Sequence, residues 1–127
     1  MVTELKEENF KEFVSSNRIV LIDFSATWCA PCRIQGKVLE KIESEFGDKV
    51  TIAKVDVDQN PNIAREFNVY AVPSLVFFRE GKLVVFNEES EEESGEESGE
   101  LSKLVGVQSE EVLKKIIETL DSAEGSE

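Results

Sequence analysis

Hydrophobic and polar residues alternate between strand-like and helix-like spacing along most of the chain. Ile19–Ser25 is a run of apolar and β-branched residues around one aspartate, which is typical of a buried central strand. After it, Val38, Leu39, Ile42 and Phe46 recur at helical spacing. The pattern therefore predicts a strand that leads into an amphipathic helix, and both cysteines of the chain lie at this junction.

The other elements follow from the same two periods and from turn residues. The sequence predicts an edge strand at 2–5, helices at 6–15 and 61–67, strands at 51–57 and 74–78, a paired strand at 82–86, a strand that continues or returns at 104–107, and a last helix at 109–120. Gly47 ends the helix that follows the cysteines, and Asn60 caps the short helix. This order predicts an α/β fold with a mixed central sheet flanked by helices on both faces.

Size and charge restrict the class of protein. A chain of 127 residues allows one domain, expected at 1–120, followed by a flexible tail at 121–127. The sequence has no apolar run that could span a bilayer and no signal-peptide core near its N-terminus. Two cysteines in one motif suit a reducing, cytoplasmic compartment. The net charge of −13 argues against nucleic acid or an anionic membrane as a partner.

Acidic residues concentrate at 87–101. Between Asn87 and Glu100 there are eight glutamates and no lysine or arginine. Such a segment has too few apolar residues to pack, so we expect a disordered, solvated insertion within the domain. Weak binding of divalent cations, phosphorylation of its serines, contact with basic partners and deliberate insertion as a loop remain open alternatives.

The segment Thr27–Arg33 carries the candidate chemistry. Pro31 suits the first turn of a helix, which places Cys29 at the helix N-terminus. Backbone N–H groups and the helix dipole stabilise a thiolate there, and the thiolate is the nucleophile of disulfide exchange. Cys29 is therefore the predicted attacking cysteine. Cys32 is expected to be more buried and to resolve the mixed disulfide.

A metal site and a structural disulfide are the alternative interpretations of this spacing. A zinc or iron–sulfur site needs about four Cys or His ligands, and the chain has two cysteines and no histidine. A disulfide across so short a loop removes little entropy from the unfolded chain. The motif in its strand–helix setting therefore favours redox use without a metal.

Four segments together resemble the signature segments of the thioredoxin family, in the family's order. They are DFSATWCAPC at 23–32, VDVDQNP at 55–61, YAVPS at 70–74 and LVGV at 104–107. The resemblance covers nearly the whole chain apart from the acidic insertion and the C-terminal tail. It implies the thioredoxin fold and reduction of protein disulfides through a redox-active Cys29–Cys32 pair, with no separate cofactor.

The resemblance also assigns roles to residues around the cysteines. Asp23 matches a buried aspartate that exchanges protons with the second cysteine, although an outward-pointing carboxylate is the alternative. Lys54 matches a lysine that biases the charge of this aspartate, or is a solvated strand-edge lysine. Pro73 matches a cis proline that leaves the backbone of Val72 free to pair with an extended substrate chain. The expected docking surface consists of Trp28, Ala30, Pro31, Val72, Pro73, Val105, Gly106 and Val107.

Some positions depart from the family. Ala30 stands where glycine is usual, Ser25 where a second tryptophan is frequent, and Gly36 lies where many members have a helix-kinking proline. The resemblance implies a monomer that acts on disulfide-containing proteins and receives electrons from a thioredoxin-reductase-like donor. A non-catalytic thioredoxin-fold binding module and an engineered scaffold that displays the acidic segment are the alternatives.

Overall fold

The computed structural model describes residues 2–87 and 100–123, and the acidic insertion lies outside these residues except at its two ends. In chain order the elements are β1 (Thr3–Leu5), α1 (Glu7–Ser15), β2 (Ile19–Ser25), α2 (Ala30–Phe46), β3 (Thr51–Asp56), α3 (Pro61–Glu66), β4 (Ser74–Arg79), β5 (Lys82–Leu83), β6 (Phe86–Asn87), β7 (Glu100–Leu101), β8 (Leu104–Val105) and α4 (Glu110–Ser122). Within the described residues, no helix is long and apolar enough to cross a membrane.

Strand β2 is the centre of the main sheet, and all of its residues are buried. It pairs in parallel with β3 and antiparallel with β4, and the strand order is β1-β3-β2-β4-β5. Strand β8 also pairs with β4, on the same edge as β5. The mixed α/β sheet that the sequence predicts is therefore confirmed.

The alternation of side chains along β2 divides the core into two layers. Val20, Ile22 and Phe24 belong to the layer that contains residues of α1, and Ile19 and Leu21 belong to the layer that contains residues of α2 and α4. Asp23 continues the second series along the strand. It therefore points to the face of the sheet that α2 covers, toward the helix that carries the cysteines.

The outer strand of this sheet consists of two separate pieces. Leu83 of β5 lies opposite Phe78, and Leu104 of β8 lies opposite Leu75. The backbone N–H of Val84 donates to the carbonyl of Phe77, which continues the β5 register by one residue. In this register the position that follows residues 84 and 85 on the outer strand lies opposite Leu75 of β4, and Leu104 occupies it. Residues 86–103 therefore interrupt an outer strand whose register remains continuous.

Three sequence-based predictions need correction. The paired strand expected at 82–86 ends at Leu83, since Phe86 pairs with Leu101 in a separate two-stranded sheet. The last helix, expected at 109–120, continues to Ser122, and Asp121, expected in the tail, forms an ion pair with Arg18 at 2.7 Å. Residues 124–127 and the central part of the acidic insertion, 88–99, lie outside the described residues.

The third correction concerns the start of α3. The side chain of Asn60 does not cap this helix, and its Oδ1 accepts a hydrogen bond from the N–H of Glu7 instead. The carboxylate of Glu7 accepts from the N–H groups of Asn62 and Ile63 at 2.9 and 3.4 Å. A carboxylate is favourable at a helix N-terminus, so α1 supplies the cap of α3 across the fold.

Candidate active site

The two cysteines lie where β2 passes into α2 and form a disulfide. Cys29 is the N-cap residue of α2, and its sulfur accepts a hydrogen bond from the backbone N–H of Cys32 at 3.1 Å. Pro31 occupies the first turn, where its missing N–H costs no helix bond. When the disulfide is reduced, the same N–H group and the helix dipole stabilise negative charge on the sulfur of Cys29.

Both sulfur-bearing residues are nearly inaccessible. Cys29 is 4% exposed and Cys32 is 5% exposed, so the expected difference in burial between the two cysteines is not observed. Both residues pack with Ala26, Val57 and Val72 in a small apolar cluster. Any group that reacts with the disulfide must therefore approach along the rim of this cluster.

The segment before β4 forms one side of that rim. The Val72–Pro73 peptide bond is cis, as the resemblance implies. The carbonyl oxygen of Val72 lies 3.8 Å from the sulfur of Cys29, and the carbonyl of Pro73 accepts from the N–H of Gly106 at 2.8 Å. Gly106 has a φ of +94°, a conformation in which a glycine avoids the steric strain of other residues. These contacts hold two chain segments of the expected docking surface next to the disulfide.

The structure brings most of the expected docking residues to the surface. Trp28 is 68% exposed, and its indole N–H donates to a carboxylate oxygen of Asp58 at 2.7 Å. Trp28 is therefore a surface residue and not a core residue. Pro73 differs from the expectation because it is buried. Exposed or partly exposed members of the surface are Trp28, Ala30, Pro31, Val72, Val105, Gly106 and Val107.

Two residues near the site, Asp58 and Gln35, were not predicted from the sequence. Asp58, the partner of Trp28, lies in the VDVDQNP segment, where the sequence shows an acidic residue without showing its contact. Gln35 is fully buried in α2, where its side chain donates to the carbonyl of Gln108 and accepts from the N–H of the same residue. A polar residue on the apolar face of a helix was the available signal. Gln35 ties the segment after β8 to the helix that carries the cysteines.

Asp23 is buried beneath this site. It is 1% exposed, and within the described part of the chain neither of its carboxylate oxygens has a hydrogen-bond partner. Burial raises the pKa of Asp23 to about 7, and the charge of Lys54 partly opposes this increase. Lys54 lies directly opposite Asp23 in the β2–β3 register. The outward-pointing carboxylate that the sequence left open is thus excluded.

A cavity of about 330 Å³ lies beside Cys32 and opens to solvent. Its lining includes Ser25, Lys54 and the charged side chains of Lys37 and Glu40, whereas Asp23 is not among the residues that line it. Ser25 follows Asp23 by two residues on β2, and Lys54 is its register partner on β3. In the described residues, no three cysteine, aspartate or glutamate side chains are grouped so that they could hold a metal ion.

Comparison with known proteins gives the same family as the geometry of the site. The family model described as thioredoxin matches residues 1–119. The chain is 49% identical over 75 residues to a bifunctional thioredoxin reductase/thioredoxin of Mycobacterium leprae, which covers 59% of the chain and 16% of that protein. It is 48% identical over 73 residues to a thioredoxin of Mycobacterium tuberculosis, which covers 58% of the chain and 63% of that protein. The match thus spans less than two thirds of either relative.

Solved structures extend the likeness to nearly the full chain. A mutant thioredoxin from Halobacterium salinarum superimposes with a TM-score of 0.77 at 29% identity, covering 96% of this chain and 92% of that one. The oxidised form of mitochondrial thioredoxin 3 from Saccharomyces cerevisiae gives a TM-score of 0.73 at 31% identity, covering 94% and 95%. With the family model matched across 1–119 and the Cys29–Cys32 disulfide at the start of α2, the chain belongs to the thioredoxin family.

Proposed function

We propose that the protein is a thiol–disulfide oxidoreductase that reduces disulfide bonds in other proteins. The observation that carries the proposal is the Cys29–Cys32 disulfide at the N-terminus of α2, where the sulfur of Cys29 already accepts a backbone N–H. A thiolate at this position is stabilised and is therefore a better nucleophile at neutral pH than an ordinary thiol. Membership of the thioredoxin family supports the same activity.

The reaction proceeds by two exchanges. The thiolate of Cys29 attacks one sulfur of the substrate disulfide, forms a mixed disulfide and releases the other substrate sulfur as a thiolate. The thiolate of Cys32 then attacks the sulfur of Cys29, which releases the second substrate thiolate and re-forms the Cys29–Cys32 disulfide. Two electrons pass from the dithiol to the substrate, so the oxidised protein must be reduced before the next turnover.

Asp23 is the proposed acceptor of the proton from Cys32. A carboxyl group with a pKa of about 7 is partly ionised at neutral pH, which suits a general base. Ser25 and Lys54 line the cavity beside Cys32 and are both neighbours of Asp23 on the sheet. Water in this cavity is the proposed route by which the proton returns to solvent.

The substrate is proposed to bind as an extended chain across the docking surface. Val72 presents its main chain beside the sulfur of Cys29, so a substrate strand can pair there with its own cysteine facing Cys29. Trp28 and Val105 supply exposed apolar area on either side. Main-chain pairing suits many sequences, which is appropriate for a reductase of several proteins.

The electron donor is proposed to be a thioredoxin-reductase-like protein. The Mycobacterium leprae relative is a bifunctional thioredoxin reductase/thioredoxin, so the two activities are joined in one chain there. We also propose that the protein acts as a monomer in a reducing, cytoplasmic compartment and uses no cofactor besides the Cys29–Cys32 pair. The presence of both cysteines in one motif supports the compartment.

The test is reduction of insulin by dithiothreitol, catalysed by the wild type, Cys29→Ser and Cys32→Ser. The wild type should accelerate precipitation of the insulin B chain, and Cys29→Ser should abolish the acceleration. Reduced Cys32→Ser, freed of dithiothreitol before it is mixed with insulin, should accumulate a mixed disulfide with the substrate. The reduced wild type is the matched control for folding, because it also lacks the disulfide. A folded wild type without catalysis, or equal catalysis by Cys29→Ser, would sink the proposal and favour the non-catalytic binding module.

A further inference from the structure

An exposed aromatic ring and a lysine lie together at one end of the docking surface. Tyr70 is 84% exposed and precedes Val72 by two residues. The ammonium group of Lys103 lies 5.9 Å from the centroid of the Tyr70 ring and donates to the backbone carbonyl of Asn68 at 2.5 Å. The hydroxyl of Tyr70 in turn contacts the side-chain oxygen of Asn68 at 3.3 Å. The Tyr70 hydroxyl and the Lys103 ammonium group therefore both contact Asn68.

Lys103 comes from the segment that interrupts the outer strand. It is the last residue of 86–103 and directly precedes β8, whose Val105 is 55% exposed on the docking surface. Its ammonium group contacts Asn68 and Tyr70, which belong to the chain segment before β4. The interruption thus adds a positive charge to a surface otherwise formed mainly by apolar residues.

The contacts of Lys103 with other described residues use only part of its ammonium group. An ammonium group has three donors, and the carbonyl of Asn68 accepts one of them. The ion pairs of the described residues do not include Lys103. The flanking aromatic ring holds the cation without neutralising it. A carboxylate from a bound chain could therefore approach the remaining donors.

The position of this group relative to the substrate follows from the geometry of an extended chain. A strand advances roughly 3.3 Å per residue, and side chains two residues apart project to the same side. A substrate that pairs with the main chain of Val72 places its reacting cysteine near Cys29. The substrate side chain nearest Tyr70 then lies about two residues from that cysteine.

We propose that Tyr70 and Lys103 form a specificity-determining pair that favours substrates with Asp or Glu about two residues from the reacting cysteine. The proposal rests on the proposed function, since it concerns the preference of the same reaction. The ring packs on the stem of the acidic side chain, and Lys103 pairs with its carboxylate. Both contacts are made outside the reacting atoms, so the pair selects substrates and takes no part in the exchange.

The net charge of the protein acts in the opposite direction. A charge of −13 repels acidic substrates at long range, whereas Lys103 attracts them at short range. At physiological ionic strength, exposed charges separated by more than roughly 8 Å are largely screened. The short-range contact should therefore determine the preference at physiological salt.

The test compares three disulfide-bonded peptides that carry Glu, Ser or Lys two residues from one cysteine, with each side of the cysteine tested. The reduced protein is mixed with an excess of each peptide, and the second-order rate constant of the single oxidation of the Cys29/Cys32 dithiol is measured for the wild type, Lys103→Gln, Lys103→Glu and Lys82→Glu. Lys82→Glu is the matched control, because it changes the net charge equally and lies beside Arg79, at the other end of β4 from Ser74.

We expect the wild type to prefer the Glu peptide over the Lys peptide by about threefold, the size of an exposed ion pair. Lys103→Gln should remove this preference, Lys103→Glu should reverse it, and Lys82→Glu should retain it. Lys82→Glu should reduce the Ser peptide at the rate of the wild type.

Other results overturn the proposal. If Lys103→Glu and Lys82→Glu changed the preference for the Glu peptide equally, long-range charge would be its cause. A wild type without any preference would show that Tyr70 and Lys103 do not determine specificity. A slower reaction of Lys103→Gln with the Ser peptide, without a change in preference, would make Lys103 a structural support of the loop. If no protein reduces the Ser peptide, the proposed function itself fails, and that result is distinct from an unchanged preference.

Discussion

Strand β2 and the outer strand formed by β5 and β8 carry the two halves of the site, yet they are built differently. β2 pairs with a neighbour on each side along almost its whole length, and it leads directly into Cys29. The outer strand has one neighbour, β4, and is interrupted by residues 86–103. Both nevertheless end at the disulfide, one at the cysteines and the other at Gly106.

The difference shows where this fold tolerates added chain. An edge strand loses pairing on one side only, and the residues before and after the interruption still register with β4. The same insertion in β2 would separate two sheet neighbours and both core layers. The interrupted strand also presents Val105, and Lys103 at the described end of the interruption contacts Asn68.

The largest expected difference between the two strands is in stability. Leu21 of β2 is fully buried, whereas Leu83 of β5 is partly buried. Leu21→Ala should lower the free energy of unfolding by about 3 to 5 kcal/mol, because it leaves a cavity that packed neighbours cannot fill. Leu83→Ala, the matched substitution at the edge, should cost about 1 kcal/mol. Urea denaturation of the oxidised proteins measures both, and similar losses would contradict the contrast.

The second prediction concerns the buried charge at the end of β2. Burial raises the pKa of Asp23 from 3.8 to about 7, so between these pH values the unfolded chain loses its proton while the folded chain keeps it. Stability from this group is thus complete below about pH 4 and is lost as the pH rises through about 7. Asp23→Asn lacks this loss. The difference in free energy of unfolding between Asp23→Asn and the wild type should therefore shift in favour of the variant by about 3 to 4 kcal/mol from pH 4 to pH 8.

Urea denaturation of both proteins at several pH values gives this difference, and Asp56→Asn on the neighbouring strand is a control at a partly exposed position. A constant difference between Asp23→Asn and the wild type would mean that Asp23 titrates normally. The rate of insulin reduction by Asp23→Asn should also lose its dependence on a group with a pKa near 7. An unchanged pH profile of the rate would remove Asp23 from the proton transfer.

Two glycines provide a smaller comparison. A Cβ atom at either Gly36 in α2 or Gly106 after β8 would have no heavy atom within 4 Å, so backbone conformation alone separates them. Gly36→Ala should stabilise the protein by about 0.5 to 1 kcal/mol, because alanine favours the helix. Gly106→Ala should destabilise it by about 1 to 2 kcal/mol, because of its positive φ. Thermal unfolding measures both changes in stability, and a change of the same sign in the two variants would contradict this explanation.

The comparison also explains what the sequence predicted. β2, α2 and the position of Cys29 followed from apolar periodicity and from Pro31, because local pattern and tertiary environment agree there. The end of the strand at 82–86 could not be predicted in this way, since Phe86 is apolar and strand-like but pairs with Leu101 in a separate sheet. Hydrophobic pattern predicts that a residue belongs to a strand and does not name its partner.

Contacts between distant residues were equally invisible in the sequence. Glu7 caps α3, Gln35 binds Gln108 and Asp58 binds Trp28, and each pair joins residues that only the fold brings together. The resemblance indicated the buried position of Asp23, but periodicity alone left its direction open. Side-chain function that depends on one partner requires the tertiary structure.

The smallest expected effect on stability comes from joining Val85 directly to Leu104. This deletion of residues 86–103 preserves the register with β4, so the sheet should remain intact. Closing a loop of this length costs on the order of 2 to 3 kcal/mol of conformational entropy on folding. The deletion removes this cost and so stabilises the protein by that amount. The deletion also removes Phe86, which packs edge-on against Phe77, and this loss costs about 2 kcal/mol. The two effects nearly cancel, so the free energy of unfolding should change by less than about 1 kcal/mol.

The deletion separates the two roles of the outer strand, because it also removes Lys103. Reduction of the Ser peptide should persist, since the cysteines, Val72 and Gly106 remain, whereas the preference for the Glu peptide should disappear. A control that removes only residues 88–99 keeps Lys103 and both described ends of the interruption, and it should retain the preference. Loss of all activity in the first variant, with the fold intact, would mean that the interrupted strand positions the disulfide itself and not only the substrate.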